Sequence, residues 1–268
     1  MVSRTFTRKQ FLANFFCRQK TFCHQLADQL AEHGEHVLFF SLEQSKLELV
    51  TMSLARLTAK KDFNAAVTSL SIRSGGTPPQ VTQAAELYAD TATRLSIIEG
   101  NYNTSAGTIR SYAEGYMARN KVNPVVIIDY LQILQANDKQ RLDEAATALK
   151  RMSRDLGITI IAISSLNRSN YLTPIDYESF KESGGIEYIA DVILGLQLNA
   201  INEALFNESN KIKTKRERIQ EAKSATPRDI ELVCLKNRNG KPYFSCYFAY
   251  YPKNDLYVEE KPRPFERL

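Results

Sequence analysis

PVVIIDYLQIL, residues 124–134, is the stretch on which the reading of the whole chain turns. Its opening, PVVIID, is a continuous apolar run that ends in a carboxylate, Asp129. A strand with no polar face is buried on both sides, as in parallel sheets covered by helices front and back. In an open parallel sheet, ligands bind at the carboxyl ends of the strands. An aspartate placed there can hold Mg²⁺ through water, beside nucleotide phosphates. It can equally cap the following helix, and the strand alone does not choose between the two.

Outward from this run, segments of the same kind recur. HVLFFS (36–41), RLSIIEG (94–100), ITIIAIS (158–164), DVILGLQL (191–198), DIELVCLK (229–236) and PYFSCYFAY (242–250) read as further strands. Helical segments separate them. One ends at Gly34, where a helix C-terminal glycine belongs. SKLELVTMSLARL (45–57) has apolar residues at helical spacing. Thr77-Pro78 reads as an N-cap and first-turn proline opening a helix to about Thr91. Residues 104–120 and 141–156 complete the set. The alternation predicts an α/β fold: a twisted, mostly parallel sheet flanked by helices. A turn at Asn239-Gly240 predicts an antiparallel hairpin at one edge.

A second carboxylate follows a second apolar strand. HVLFFSLE puts Glu43 just past the strand end, where it can orient and deprotonate an attacking water. With Ser41 as an N-cap, Glu43 is instead a first-turn glutamate supporting a helix dipole.

Composition bounds the rest. The chain has 268 residues, 43% hydrophobic and 24% charged, typical of one soluble α/β domain. No apolar run approaches the roughly 20 residues needed to span a bilayer. The basic-then-apolar start, MVSRTFTRKQFLANFF, is short and lacks a small-residue cleavage site, so no signal peptide is read. Cys17, Cys23, Cys234 and Cys246 form no CxxC pair, and His24, His33 and His36 complete no zinc pattern. Reduced thiols in a cytoplasmic protein are expected. The net charge of +5 permits nucleic-acid binding without arguing for it. Residues 199–226 are polar and charged, with the basic run 211–218 inside them; a solvated helix or mobile loop inserted before the hairpin is expected. The tail 252–268 is proline-rich and charged, and is expected to be extended.

Five segments carry a resemblance. HVLFFSLEQSKLELV, VVIIDYLQIL, AISSLNRSNY, KESGGIEYIADVIL and LVCLKNRNGK occur in the order and rough spacing of the DnaB-type replicative helicases. They resemble its C-terminal, RecA-like motor domain, over about residues 20–250, and the domain bounds drawn from this are 21–251. The resemblance implies a homo-hexameric ring that moves on single-stranded DNA and hydrolyses ATP with Mg²⁺ at subunit interfaces. It makes Asp129 the magnesium carboxylate, Glu43 the catalytic base, Arg238 an arginine finger and Lys236 its companion cation. An arginine inserted in trans stabilises charge in phosphoryl transfer. Residues near the Asn239-Gly240 turn also have a plain reading as solvated charges. Channel-facing loops of the family grip DNA; here Lys139 and Arg141 (stretch 135–141) and Lys181 (stretch 169–181) are the candidates. A primase or helicase loader is the kind of protein partner the resemblance implies, with no membrane. The family's N-terminal collar domain has no counterpart in the residues given, so a fragment or a module of a longer replication protein is expected.

Two departures stand out. A phosphate loop reads GxxxxGK[ST], its glycines letting backbone N–H groups close on phosphate. The matching region here is NFFCRQKTF, with Lys20 and Thr21 kept and Asn14 and Gln19 at the glycine positions. Side chains there are expected to obstruct the loop. Anchoring instead on Phe22 puts Gln19 at the lysine position and Lys20 at the first threonine. In AISSLNR, Ser165 stands where the family has a phosphate-sensing glutamine, while Asn167 and Arg168 match. The match is close from Thr21 onward and absent over residues 1–20, so that segment descends from either a shifted reading frame or a diverged loop. The function implied is an ATP-dependent DNA helicase motor; the alternative is a catalytically impaired DNA-binding or ring-forming subunit.

Overall fold

The computed structural model describes residues 10–15, 19–101, 103–131, 139–165, 173–180, 186–202 and 212–261. The apolar runs become strands β2 (Val37–Ser41), β3 (Leu95–Glu99), β4 (Val125–Asp129) and β5 (Thr159–Ser165), all parallel, in the order β3-β2-β4-β5. Next comes β1 (Gln10–Phe15), parallel to β5 on one side and to β6 (Val192–Leu198) on the other. The sheet then turns antiparallel through β7 (Arg228–Asn237), β8 (Ser245–Tyr251) and β9 (Leu256–Glu260). The described helices are α1 (Gln19–Glu32), α2 (Lys46–Lys61), α3 (Ser69–Arg73), α4 (Pro79–Arg94), α5 (Ala106–Asn120), α6 (Lys139–Leu156), α7 (Ile186–Ile189) and α8 (Ile212–Ser224).

The continuous apolar runs are explained by two cores, one on each face of the sheet. Leu38, Phe40, Val126, Ile128, Ile160 and Ala162 enter one core, against Ile109 of α5 and Leu149 of α6. Their neighbours Val37, Phe39, Val125, Ile127, Ile161 and Ile163 enter the other, against Ala27 of α1 and Leu49 of α2. Each fully buried Val, Leu, Ile or Phe among them is worth about 1.5–3 kcal/mol. Strand side chains alternate between faces, so both sets must be apolar.

Several local expectations shift. The cap before α2 is Ser45, not Ser41: Ser45 and Glu48 form a reciprocal capping box. Ser41 is the last residue of β2, and its hydroxyl donates to the Gln44 carbonyl (2.6 Å). Glu43 therefore lies in the turn between β2 and α2, outside the helix's first turn. At α4 the N-cap is Pro78 and the helix starts at Pro79, one residue later than read. Gly34 closes α1 as expected, at φ +92°, with Glu35 N–H on Leu30 O and Gly34 N–H on Ala31 O, both 3.0 Å. The connection from β7 to β8 is longer than a two-residue turn, spanning residues 238–244. Pairing also carries the sheet past the bounds 21–251: β1 comes from the segment before residue 21, and β9 from the tail, where it pairs with β8. Asn14 is extended strand and Gln19 is helical, so neither adopts the dihedrals that only glycine tolerates.

Candidate functional site

The carboxyl ends of β2 and β4 lie side by side. Ser41 and Asp129, their last residues, are register partners, and the Leu42 amide donates to the Asp129 carbonyl (2.8 Å). Asp129 and Glu43 thus share the carboxyl edge of the sheet. The turn holding Glu43 is fixed from both sides, by Ser41 on Gln44 and by the Lys46 amide on Glu99 Oε1 (2.5 Å).

Lys20, in the first turn of α1, meets them. Its ammonium forms an ion pair with Glu43 and sits 5.6 Å from the centre of the Tyr130 ring, within cation–π range. Burial holds Lys20 below the ordinary lysine range, opposed by the charges of Asp129 and Glu48. Thr21 is buried beside it. Asp129 is fully buried, and neither carboxylate oxygen has a hydrogen-bond partner among the described residues. Burial pushes it up to about 6, with Lys20 pulling the other way. A buried, unpartnered carboxylate costs free energy unless something else satisfies it. A hydrated divalent cation carrying phosphates fits this place: the carboxylate would hold the cation and Lys20 the phosphate oxygens. Among the described residues no cluster of three His, Cys, Asp or Glu side chains could hold a metal without such help.

Arg238 and Lys236 lie elsewhere. β7 runs antiparallel to β6, and Asn237 pairs with Val192 at the start of β6. Four strand steps and about three residues along the strands separate this point from Asp129, roughly 20 Å at usual sheet spacings. The Arg238 amide donates to the Asp191 carbonyl (2.9 Å). Its guanidinium contacts the Asp191 carboxylate (3.3 Å) and the Tyr188 carbonyl, and its side chain stays 45% exposed. Lys236 donates to the Glu187 carbonyl, and Lys150 shares Asp191. Burial, with Arg238 nearby, holds Lys236 below the ordinary lysine range. Arg238 is thus away from its own chain's cleft.

Residues 18–254 match the family model of the DnaB-like helicase C terminal domain. The chain belongs to that family. Among relatives, a probable replicative DNA helicase of Trieres chinensis is 27% identical over 232 residues, 82% of this chain and 46% of the relative. The replicative DNA helicase DnaB of Geobacillus stearothermophilus is 25% identical over 241 residues, 86% of this chain and 47% of the relative. The chain spans about half the length of these relatives. Of solved structures, an isolated ATPase domain superposes with TM-score 0.76 at 20% identity, covering 96% of this chain and 86% of that one. A DnaB-like replicative helicase, in a structure reporting its interactions with primase, gives 0.73 at 20% identity, covering 94% of this chain and 57% of that one. These likenesses show that the fold is that of RecA-like DnaB ATPase domains.

Other sequence-predicted positions fall outside what can be placed against the DnaB site. Lys139 and Arg141 begin α6, while Lys181, Asn167 and Arg168 lie outside the described residues. Among the described residues no helix is long and apolar enough to cross a membrane. Tyr130 was missed by sequence reading, although it directly follows Asp129. So was a buried polar group behind the site, His24, Asp28, Ser53 and Arg56; its signal was the four-residue spacing of Lys20, His24 and Asp28 along one helix.

Proposed function

We propose that this chain is the ATP-hydrolysing motor of a DnaB-type replicative helicase, working as a homo-hexamer on single-stranded DNA. The observation that carries this reading is Asp129: a buried carboxylate with no partner among the described residues, at the carboxyl edge of a parallel sheet, with Lys20 and Glu43 beside it. Mg²⁺ and ATP supply the transferable phosphoryl group and the charge that satisfies this carboxylate. Asp129 would hold the cation with help from Thr21, and Lys20 would neutralise phosphate charge. With Lys20 so engaged, Glu43 would be free to orient and deprotonate water. Arg238 reaches a neighbouring subunit's site, with Lys236 as companion, and stabilises transition-state charge there. Its exposure and its distance from its own cleft support that role. Lys139, Arg141 and Lys181 are the proposed DNA contacts, by phosphate neutralisation. A primase or loader and a cytoplasmic setting belong to the same reading.

Asn14 and Gln19 at glycine positions, with Ser165 in place of glutamine, favour a second reading: an impaired subunit that binds DNA or completes a ring. ATP hydrolysis with and without single-stranded DNA separates the two. A motor shows DNA-stimulated turnover that Glu43→Gln abolishes. DNA binding with no turnover above background supports the impaired subunit.

A further inference from the structure

Helix α1 carries a line of polar side chains where an amphipathic helix would bury apolar ones. Lys20, His24 and Asp28 are spaced four apart, so they follow one another along a single face. Lys20 meets Glu43; the next two meet α2. The buried Arg56 guanidinium donates to Asp28 Oδ2 (2.6 Å) and to His24 Nδ1 (2.8 Å). Ser53 Oγ donates to the same Asp28 oxygen (2.8 Å). Arg56 has only donors, so His24 Nδ1 accepts and its proton is on Nε2, which faces Ser53 Oγ at 3.5 Å. His24, Asp28, Ser53 and Arg56 are each at most 4% exposed. Arg56 also donates to the Asp255 carbonyl (3.1 Å), and Tyr88 of α4 donates to Asp28 Oδ1 (3.4 Å).

The neighbouring face of α1 is held independently. Gln25 pairs with the backbone of Tyr257 in β9, donating to its carbonyl (2.7 Å) and accepting from its amide (2.8 Å). Phe22 meets Phe248 and Tyr257 edge to face. With two faces gripped, α1 has one rotation about its axis. That rotation aims Lys20, at the helix start, toward Glu43, three residues before α2 begins. Apolar packing of Ala27 and Phe22 shares in setting this angle; the charge-assisted hydrogen bonds add a directional constraint at buried polar positions.

We propose that Asp28 and Arg56 are positioning residues for the Lys20–Glu43–Asp129 site, their buried ion pair setting the rotation of α1 against α2. The proposal rests on the reading of that site as the place of ATP hydrolysis. Loosening the pair lets Lys20 drift from Glu43 and Asp129. Glu43 acts on water in the transition state, while nucleotide is held by several groups, so turnover suffers more than binding.

Two readouts on the full chain test this. The time profile of Lys20 labelling by an amine-acylating reagent at one fixed pH, followed by mass spectrometry, reads its exposure and needs no turnover. In Asp28→Asn the Lys20 profile moves toward that of an ordinary solvated lysine, and Ser53→Ala, which removes the hydroxyl's bonds to Asp28, Arg56 and Leu49 but leaves the Asp28–Arg56 pair, moves it less in the same direction. Leu149→Ala, in the core on the opposite face of the sheet, destabilises the fold and leaves the Lys20 profile in place. In hydrolysis, Asp28→Asn lowers kcat about tenfold to a hundredfold, as a displacement near 1 Å would, with the KM for ATP changed less than about threefold. Equal Lys20 profiles in wild type and folded Asp28→Asn overturn the proposal, as does an equal shift in Leu149→Ala. An absence of ATPase activity in the wild type counts against the motor reading, while the labelling result still decides the positioning role.

Discussion

Asp28 and Asp129 are both buried carboxylates, 4% and 0% exposed, and their surroundings are opposite. Asp28 receives a guanidinium, a hydroxyl and a phenol. Burial raises its pKa, but Arg56 and His24 outweigh that and hold it below the usual carboxylate range. Neither oxygen of Asp129 has such a partner among the described residues, and burial raises it to about 6. Depth alone therefore does not mark a functional acid. A carboxylate satisfied by its own chain braces the fold. One left unsatisfied beside a lysine at a strand end is arranged for something the chain does not supply.

The largest expected effect is on the satisfied acid. Asp28→Ala leaves the Arg56 guanidinium buried without its counter-charge, and should cost about 3–5 kcal/mol of stability in urea unfolding. A loss under about 1 kcal/mol would erase the contrast. The second effect has the opposite sign. Asp129 is ionised at neutral pH against a folded pKa near 6, about two units above its ordinary value. That corresponds to up to about 3 kcal/mol of destabilisation above pH 6. Asp129→Asn should thus raise the thermal midpoint of ligand-free protein by several degrees while ending hydrolysis. A lowered midpoint would contradict the account.

The pH dependence sharpens the same comparison. Asp129 binds a proton more readily folded than unfolded, so its contribution to stability falls as pH rises from about 4 to 6. His24 is held down to about 3, chiefly by burial, so the unfolded chain takes up its proton first and stability rises over about pH 3 to 6.5. In wild type the two slopes largely offset one another. In Asp129→Asn only the histidine slope remains, steepening the profile between pH 4 and 6 by about 1.4 kcal/mol per unit. Parallel profiles would remove the assigned ionisation of Asp129. The smallest expected stability effect is at Arg238, which is half exposed in a surface ion pair. Arg238→Ala should change stability by less than about 1 kcal/mol and abolish hydrolysis by the assembled protein; normal turnover would remove it from the mechanism.

The sequence made the parallel sheet legible because both faces of PVVIID are apolar, and such a run has few other homes. It brought Asp129 and Glu43 to one edge for the same reason: Asp129 is the last residue of its strand and Glu43 lies two residues past the end of its own. Strand β1 was not legible. QFLANF runs into the stretch 14–21 expected as a phosphate loop, and the missing glycines hid the strand before it. Parallel pairing with β5 and β6 is non-local, so nothing nearby in sequence announces it. The Asp28–Arg56 pair was hidden likewise. Its partners are 28 residues apart on two helices, and a charged residue in an amphipathic helix is ordinarily read as solvated. Ser45 displaced Ser41 as the α2 cap because only Ser45 has a glutamate three residues on that returns its hydrogen bond.

The central claim is that Asp129 is left unsatisfied so as to hold Mg²⁺ with ATP. The direct measurement is the thermal midpoint of wild type and Asp129→Asn with ATP, with and without Mg²⁺. Ligand at a hundred times its Kd stabilises a fold by about 2.7 kcal/mol. Wild type should rise by several degrees only when Mg²⁺ accompanies ATP, and Asp129→Asn, already more stable, should gain nothing further from the metal. An equal Mg²⁺-dependent gain in both proteins, or none in wild type, would contradict the account.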